Sequence, residues 1–154
     1  MNRYLVFGPQ GSGKTTFGHV LARAIGGKAV DTSAWLKRVE MRRNGGRPIP
    51  RASLVALGDA VCAEDPCFLV DRAIEAGADV IIGIRRWAEF ICVSAKYRPL
   101  VLIYIGRAPG PEVGEDNFEL TPDYADHVVE ADGEDEMNAA AAHIAAYEGD
   151  VPCP

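Results

Sequence analysis

A glycine-rich turn that carries one lysine and one threonine stands near the start of the chain. Residues 8–15 read GPQGSGKT and match the spacing G-x-x-x-x-G-K-[ST] of a phosphate-binding loop. Glycines let such a loop close around an anion, so that several backbone N–H groups point at the phosphates. Lys14 supplies a mobile positive charge, and the Thr15 hydroxyl is placed to ligate the Mg²⁺ that bridges the outer phosphates. The turn therefore predicts a site for a nucleoside triphosphate with Mg²⁺, and ATP is the nucleotide we expect.

The elements on either side of this turn are those that a phosphate-binding loop requires. Residues 4–7 form an apolar, β-prone run, and residues 14–25 place apolar side chains at three- and four-residue spacing, as in a helix. The positive end of that helix adds to the field at the loop. The residues that we expect to bind the nucleotide phosphates are Gly8, Pro9, Gln10, Gly11, Ser12, Gly13, Lys14, Thr15 and Thr16.

The remaining chain alternates between short strands and helices. Apolar runs predict strands at 28–31, 80–84, 100–105 and 127–130, with helices over 33–43, 52–63, 66–76, 88–96 and 134–147. Because strands separated by crossover helices pair in parallel, we predict one α/β domain over residues 1–154, a three-layer, doubly wound, parallel five-stranded sheet. Such sheets bind ligands at the carboxyl ends of their strands. Gly8, Asp31 and Arg85 lie at such ends and should converge on one cleft.

Basic residues are concentrated between positions 37 and 51 of an otherwise acidic chain. Most of them are expected to form a solvated helix face, but Arg51 opens a predicted helix and can face a cleft. Arg85 and Arg86 directly follow a predicted strand, where they can bind a second anionic substrate and neutralise charge on a transferring phosphoryl group. Surface ion pairing, for example with Glu89, is the simpler interpretation of these two arginines.

Asp31 is the remaining carboxylate of interest, because it follows the second predicted strand. It can hold a Mg²⁺-bound water or orient an acceptor, and we group it with Lys14 and Arg85 as the candidate catalytic residues. Its simpler interpretation is a charge or cap at the start of the next helix. An acceptor phosphate is already ionised at neutral pH and needs no strong base, whereas an acceptor hydroxyl calls for one.

Composition excludes some partners and compartments. The formal net charge is −6, which argues against a nucleic-acid polymer as partner. No apolar run reaches the roughly 18 residues of a membrane helix, so we expect no membrane partner and a cytoplasmic location. The four cysteines lack metal-ligand spacing and are expected to be free thiols.

The chain resembles the P-loop nucleoside monophosphate kinases, most closely the deoxynucleoside monophosphate kinases of bacteriophages, with dephospho-CoA kinase as a more distant relative. The stretches that carry the resemblance are GPQGSGKT at 8–15, LGD at 57–59 with EDP at 64–66, IIGIRR at 81–86 with Glu89, and DHVVEADG at 126–133. The resemblance implies the P-loop nucleoside triphosphate hydrolase fold and transfer of the γ-phosphoryl group of ATP to a nucleoside 5′-monophosphate.

The resemblance also implies roles for individual residues. Arg51, Arg85 and Arg86 would bind the acceptor, which lies between the helices at about 32–65 and the arginines. The turn with Asp132 would cover the adenine of ATP, and residues 107–122 would form a lid. Two departures are Ala131, where an asparagine is common, and Arg107 as the only basic residue of this lid.

Three functions remain open from the sequence. The first is a (deoxy)nucleoside monophosphate kinase, with small-molecule nucleotide substrates and a possible homodimer. The second is a small-metabolite kinase of the same fold, such as a dephospho-CoA or shikimate-like kinase, in which Asp31 acts as a base. The third is an ATP-binding switch or accessory protein that phosphorylates no small molecule.

Overall fold

Five short strands and six helices make up the fold of this computed structural model, which describes residues 2–106 and 118–149. The strands are β1 (Arg3–Phe7), β2 (Ala29–Asp31), β3 (Val80–Ile82), β4 (Leu100–Ile105) and β5 (His127–Val129). The helices are α1 (Lys14–Ile25), α2 (Ser33–Arg43), α3 (Arg51–Glu64), α4 (Phe68–Glu75), α5 (Trp87–Lys96) and α6 (Glu134–Tyr147). A single turn of 3₁₀ helix, Pro122–Tyr124, precedes β5.

The strands form one parallel sheet in the order β2-β3-β1-β4-β5. All four strand pairs are parallel, and β1 lies in the middle, with β3 on one side and β4 on the other. The central strand is fully buried from Tyr4 to Phe7, as the continuous apolar run predicts. The predicted three-layer, doubly wound α/β fold is confirmed.

One face of the sheet packs against α1 and α6. The core on this face includes Val6, Phe17, Leu21, Ile82 and Ile144. Alternate residues of a strand point to opposite faces, so Val6 and Ile82 turn to this layer while their neighbours turn away. The contact with α1 is close, because a Cβ at Gly18 would lie 2.4 Å from Ile82 Cδ1. This packing holds the start of α1 directly beyond the carboxyl end of β1.

The opposite face packs against α4 and α5, and here one prediction is wrong. The four cysteines were expected to be free, but Cys67, just before α4, and Cys92, within α5, form a disulfide. Sequence spacing did not indicate the pair, because 25 residues separate the two cysteines and only the packing of the two helices brings them together. Cys62 is a buried free thiol, and Cys153 lies outside the described residues.

Two element boundaries differ from the predictions for local reasons. β3 ends at Ile82 rather than at residue 84, because Gly83 adopts a φ of +97° and turns the chain out of the sheet. α4 begins at Phe68 rather than at residue 66, since Asp65 Oδ1 accepts the N–H of Cys67 and forms a turn before the helix.

A third, smaller core lies beneath α2, α3 and α4. Its buried members are Leu36, Cys62 and Leu69, and the rings of Trp35 and Phe68 pack edge to face beside them with centroids 4.9 Å apart. This core holds α2 and α3 beside the carboxyl ends of β2 and β3. None of the helices formed by residues 2–106 and 118–149 is long and apolar enough to cross a membrane.

Candidate active site

The loop of residues 8–15 lies between β1 and α1, against the end of β4. A Cβ at Gly8 would lie 2.2 Å from the carbonyl oxygen of Ile105, so only glycine allows this close approach of two strand ends. Gly11 and Gly13 have φ angles of +74° and +88°, which side chains other than glycine rarely adopt. α1 begins at Lys14, so its positive end faces the loop.

The loop fits a triphosphate with Mg²⁺ in its donor chemistry. The buried Ser12 hydroxyl has no hydrogen-bond partner within the described parts of the chain. Thr15 Oγ1 lies 3.5 Å from Asp31 Oδ2, which pairs a hydroxyl and a carboxylate oxygen. Mg²⁺ prefers such hard oxygens, and in proteins it is commonly held by one or two side chains together with the nucleotide phosphates. Within residues 2–106 and 118–149, no group of three or more His, Cys, Asp or Glu side chains is placed to hold a metal ion.

The ends of β2 and β3 are tied to each other and to β1. The Thr32 N–H donates to Ile82 O at 2.9 Å, and the Thr32 hydroxyl donates to Gly83 O at 3.1 Å. Gly83 N–H in turn donates to Val6 O at 2.9 Å. Asp31 and Arg85, which flank these bonds, are therefore held close to the phosphate loop.

Asp31 is oriented through one of its two carboxylate oxygens. Oδ1 accepts the backbone N–H of Ser33 at 2.8 Å, at the start of α2, and Oδ2 faces Thr15. The helix-capping role and the functional role proposed for Asp31 from the sequence are therefore compatible, since each uses a different oxygen. A Cβ at Gly83 would contact Oδ1 at 3.4 Å, so glycine keeps this corner open.

One cleft of about 260 Å³ joins the phosphate loop to the basic residues. Its lining consists of Gln10, Gly11, Lys14, Thr15, Asp31, Ser33, Lys37, Arg51, Gly83, Arg85 and Phe118. Asp31 and Arg85 meet loop residues in this cleft, as expected, but Gly8, which was predicted to converge with them, does not belong to the lining. Arg51 belongs to the same lining. With four cationic side chains and one carboxylate, this lining is suited to binding anions.

A smaller recess of about 80 Å³ adjoins the cleft on the side of α2 and α3. The two spaces share the cationic side chains of Lys37, Arg51 and Arg85. The apolar part of the recess is formed by Leu36, Leu54, Val55 and Leu69. A ligand here would meet both positive charge and hydrocarbon.

Arg86 lies outside the lining of the main cleft but belongs to the lining of the adjoining recess. Its guanidinium donates to Asp59 Oδ1 from Nε at 2.7 Å and to Glu89 Oε1 from Nη1 at 2.9 Å. Burial lowers the pKa of Arg86, but the charge of Glu89 and the hydrogen bond to Asp59 more than offset this and hold the pKa above its usual range. The ion pair with Glu89 that the sequence allowed is present, and direct substrate binding by Arg86 stays a prediction.

Other predicted residues lie apart from the cleft. Asp132 is exposed beyond β5, and its backbone N–H donates to Glu136 Oε2 in the first turn of α6. Gly8, Pro9, Ser12, Gly13 and Thr16 belong to the loop or to α1 but not to the cleft lining. Arg107 and residues 108–117 of the predicted lid lie outside the described residues. A separate cavity of about 620 Å³ lies near the start of β4, and its lining contains none of the predicted site residues.

Three residues near the cleft were missed or set aside by sequence reasoning. Lys37 was grouped with the solvated basic residues, although it lines both spaces. Phe118 lines the cleft, and Glu119 beside it accepts the Trp87 N–H at 2.8 Å while donating its own N–H to Arg85 O at 3.0 Å. The helical position of Lys37 carried a weak signal, and Phe118 and Glu119 fall within the predicted lid at residues 107–122, although neither was singled out there.

Comparison with solved structures supports the fold. The shikimate kinase from Acinetobacter baumannii in complex with shikimate matches at 12% identity with a TM-score of 0.56, over 96% of this chain and 93% of that chain. The shikimate kinase from Bacteroides thetaiotaomicron matches at 14% identity with a TM-score of 0.53, over 96% of this chain and 98% of that chain. An unliganded sugar kinase from Janibacter sp. HTCC2649 matches at 13% identity with a TM-score of 0.53, over 96% of this chain and 94% of that chain.

This chain has the fold of the P-loop kinases. The five parallel strands in the order β2-β3-β1-β4-β5 match those structures. At such low identity the likeness concerns the fold alone. No protein-family model matches the chain, and no curated protein matches it. The finer resemblance to bacteriophage nucleotide kinases stays a prediction.

Proposed function

We propose that the protein is an ATP-dependent kinase that transfers the γ-phosphoryl group of ATP to a hydroxyl group of a compact anionic molecule. The observation that carries this proposal is the shared cleft, in which the phosphate-loop residues Lys14 and Thr15 and the carboxylate of Asp31 meet Lys37, Arg51 and Arg85 in one lining. We call the part of the lining formed by Lys37, Arg51 and Arg85 the far wall of the cleft. A site for ATP alone would not need this second cationic group.

The shape of the far wall supports a small acceptor. The recess beside Arg51 and Arg85 has a volume of only about 80 Å³, and part of its lining is apolar. A carboxylate or phosphate ester would pair with the cations, and a short carbon skeleton would cover the apolar side chains. The matched shikimate and sugar kinases phosphorylate small molecules by name, which favours this acceptor class over a nucleotide.

The chain's own groups suffice for positioning and charge neutralisation, which supply most of the catalysis in phosphoryl transfer. Lys14 and Arg85 would neutralise charge on the transferring phosphoryl group, and Arg85 would also join Arg51 and Lys37 in holding the acceptor anion. Mg²⁺, held by Thr15 and the nucleotide phosphates, would supply further charge neutralisation. In the reaction the acceptor oxygen forms a bond to the γ-phosphorus, the bond to the β,γ-bridging oxygen breaks, and ADP leaves.

Asp31 would take the proton that the acceptor hydroxyl loses. Its Oδ1 is engaged by the Ser33 N–H, which orients Oδ2 toward the side of Thr15 where the phosphates bind. Asp31→Asn keeps the shape of the side chain but removes the base. We expect nearly complete loss of turnover for a hydroxyl acceptor, since a carboxamide cannot accept this proton.

The proposal is tested by incubating the purified protein with ATP, Mg²⁺ and a panel of candidate acceptors. The panel contains small hydroxy acids, sugar acids, phosphorylated hydroxy compounds, and ribo- and deoxynucleoside monophosphates. Chromatography follows ADP and the phosphorylated product, and the inactive control is Lys14→Ala. We expect conversion of a hydroxyl-bearing anion that disappears in this control and nearly disappears in Asp31→Asn.

A nucleoside monophosphate kinase is the second candidate, because Arg51 and Arg85 could equally pair with a 5′-phosphate. Conversion of a nucleoside monophosphate to its diphosphate, with only a modest effect of Asp31→Asn, would favour this candidate. Tight ATP binding with no product from any acceptor would contradict both kinase functions and favour an ATP-binding switch.

A further inference from the structure

Arg86 joins two helices through two carboxylates. Nε and Nη2 both lie 2.7 Å from Asp59 Oδ1 on α3, and Nη1 lies 2.9 Å from Glu89 Oε1 on α5. Nη1 also lies 3.6 Å from Cys62 Sγ on α3. We call Asp59, Arg86 and Glu89 the arginine brace. It crosses from the third helix to the turn that carries Arg85.

Glu89 also controls the backbone of that turn. Its Oε1 lies 3.4 Å from Arg85 N and 3.3 Å from Arg86 N, so both N–H groups donate to the oxygen that binds the Arg86 guanidinium. The Glu89 side chain is 1% exposed. A second tether acts on the same turn, through the two hydrogen bonds between Glu119 and the Arg85–Trp87 backbone. Hydrogen bonds to Glu89 and to Glu119 therefore both fix the backbone position from which Arg85 enters the cleft.

The other end of the brace leads to Arg51. Arg51 is the first residue of α3, and Asp59 lies about two helical turns further along the same helix, or roughly 12 Å. Gly58 gives Arg86 room to reach α3, because a Cβ there would lie 2.9 Å from Arg86 Nη2 and 3.3 Å from Leu36 Cδ1. Arg51 and Arg85 thus stand on two elements that Arg86 joins.

A stabilising role alone explains this arrangement poorly. Removing a carboxylate and a guanidinium from water costs free energy that their mutual attraction often fails to exceed, so apolar side chains would stabilise the helix contact at least as well. A charged network is more useful where it holds groups in one geometry. One end of this network holds the backbone of Arg85, and the other lies on the helix that begins with Arg51.

We propose that Arg86 is a positioning residue, and that the arginine brace sets the separation and orientation of Arg51 and Arg85 for one acceptor anion. This inference rests on the proposed function, because it assigns the cleft arginines to an acceptor. Arg86 itself touches no reacting atom in this account. Loosening the brace weakens anion binding on the far wall and leaves ATP binding unchanged.

The test uses Asp59→Asn, because the Asp59 side chain is 48% exposed and its change leaves the buried Glu89 paired with Arg86. The matched control is Glu75→Gln, which removes the carboxylate of the 2.6 Å pair between Arg72 and Glu75 on the surface of α4. Asp59→Glu keeps the negative charge and should therefore retain part of the phosphate affinity that Asp59→Asn loses. Unfolding temperatures of all variants establish that the fold is retained.

Inorganic phosphate serves as the probe of the acceptor side, with the phosphate loop first saturated by Mg²⁺ and a non-hydrolysable ATP analogue. Phosphate binding is followed through the Nε–H resonances of Arg51 and Arg85. Arg51→Lys and Arg85→Lys, each made singly, assign these two resonances. We expect Asp59→Asn to raise the phosphate dissociation constant about tenfold, an effect typical of a weakened charged contact. Glu75→Gln should not change it, and affinity for the ATP analogue should be equal in all variants.

Two results would overturn the proposal in distinguishable ways. If phosphate shifts the two resonances equally well in the unmodified protein and in Asp59→Asn, the brace does not position these arginines, although the acceptor site stands. If phosphate shifts neither resonance in the unmodified protein, the cleft holds no acceptor anion, and the proposed function fails together with the brace.

Discussion

The phosphate side and the acceptor side of the cleft are built from different kinds of structure. The phosphate side, residues 8–15 and the start of α1, follows the buried central strand and rests on the large core beneath α1 and α6. The acceptor side, formed by Lys37, Arg51 and Arg85, is carried by three separate elements beside a core with only three buried residues.

The two halves of one site are therefore specified differently, one by local backbone geometry and the other by tertiary contacts. Backbone geometry specifies the phosphate side, since N–H groups and positive-φ glycines form the anion site locally. Long side chains from distant parts of the chain specify the acceptor side, and their relative positions depend on tertiary contacts such as the arginine brace. In the proposed function, the first half binds ATP and the second determines the acceptor.

The largest effect is expected for Lys14→Ala on the phosphate side. Loss of this cation removes stabilisation that develops in the transition state, and removal of one such group typically costs about 10²–10³ in turnover. The measurement is ADP formation with the acceptor found in the panel. Turnover within threefold of the unmodified protein would show that this side does not carry the chemistry.

A smaller effect, confined to the acceptor, is expected for Arg51→Ala. A hydrogen bond to a charged group contributes about 1.5–3 kcal/mol, so the KM for the acceptor should rise about 10–100-fold while the KM for ATP stays within twofold. Arg38→Ala is the control, because Arg38 belongs to the same basic segment but lies outside both linings. Equal changes in the two KM values would contradict the separation of the two sides.

Gly8→Ala tests the backbone specification of the phosphate side. The new Cβ would lie 2.2 Å from the Ile105 carbonyl oxygen, so the loop or the end of β4 must move. We expect a loss of about 1–3 kcal/mol in the free energy of unfolding, as for other overpacked sites, together with weaker ATP binding. Gly45→Ala, with φ +61° and no atom within 4 Å of its Cβ, controls for general glycine effects. Calorimetry measures the ATP affinity, and denaturant unfolding measures the free energy of unfolding. An unchanged ATP affinity in Gly8→Ala would contradict the assigned role of the loop.

The last effect, which concerns stability and not activity, is expected at Cys62 in the core of the acceptor side. Burial, followed by the charge of Glu89, raises the pKa of this thiol to about 12. The folded state thus retains a proton that the unfolded state loses near its usual pKa of about 8.5, so this contribution to stability is present below that pH and is lost as the pH rises toward about 12. We expect stability to fall less between about pH 8 and about pH 11 in Cys62→Ala than in the unmodified protein, as measured by urea unfolding. Parallel pH profiles would show that this small core is open to water.

The sequence contained most of the information on the phosphate side. The loop motif, the following helix and the five parallel strands were all predicted, because their signals are local: periodicity, glycine spacing and continuous apolar runs. Asp31 and Arg85 were placed correctly on the cleft because the carboxyl ends of parallel strands meet at one edge.

The acceptor side was harder to predict for physical reasons. Lys37 resembles any exposed basic residue of a helix, and Arg85 and Arg86 are neighbours of the same type. Their different surroundings, with Arg85 in the cleft and Arg86 between Asp59 and Glu89, depend on tertiary folding, which brings Asp59 of α3 to the turn before α5. The disulfide of Cys67 and Cys92 was missed for the same reason, since helix contacts decide it.

The most direct test of the account follows the γ-phosphorus of ATP by ³¹P NMR in the presence of Mg²⁺ and the acceptor found in the panel, for the unmodified protein, Lys14→Ala and Arg85→Ala. We predict that the γ-resonance of ATP disappears as the resonance of a phosphorylated acceptor grows in equal amount, and that neither variant reaches the unmodified rate. Conversion of the γ-resonance only to free phosphate, or an Arg85→Ala variant as fast as the unmodified protein, would contradict the assignment of this cleft to phosphoryl transfer onto an anionic acceptor.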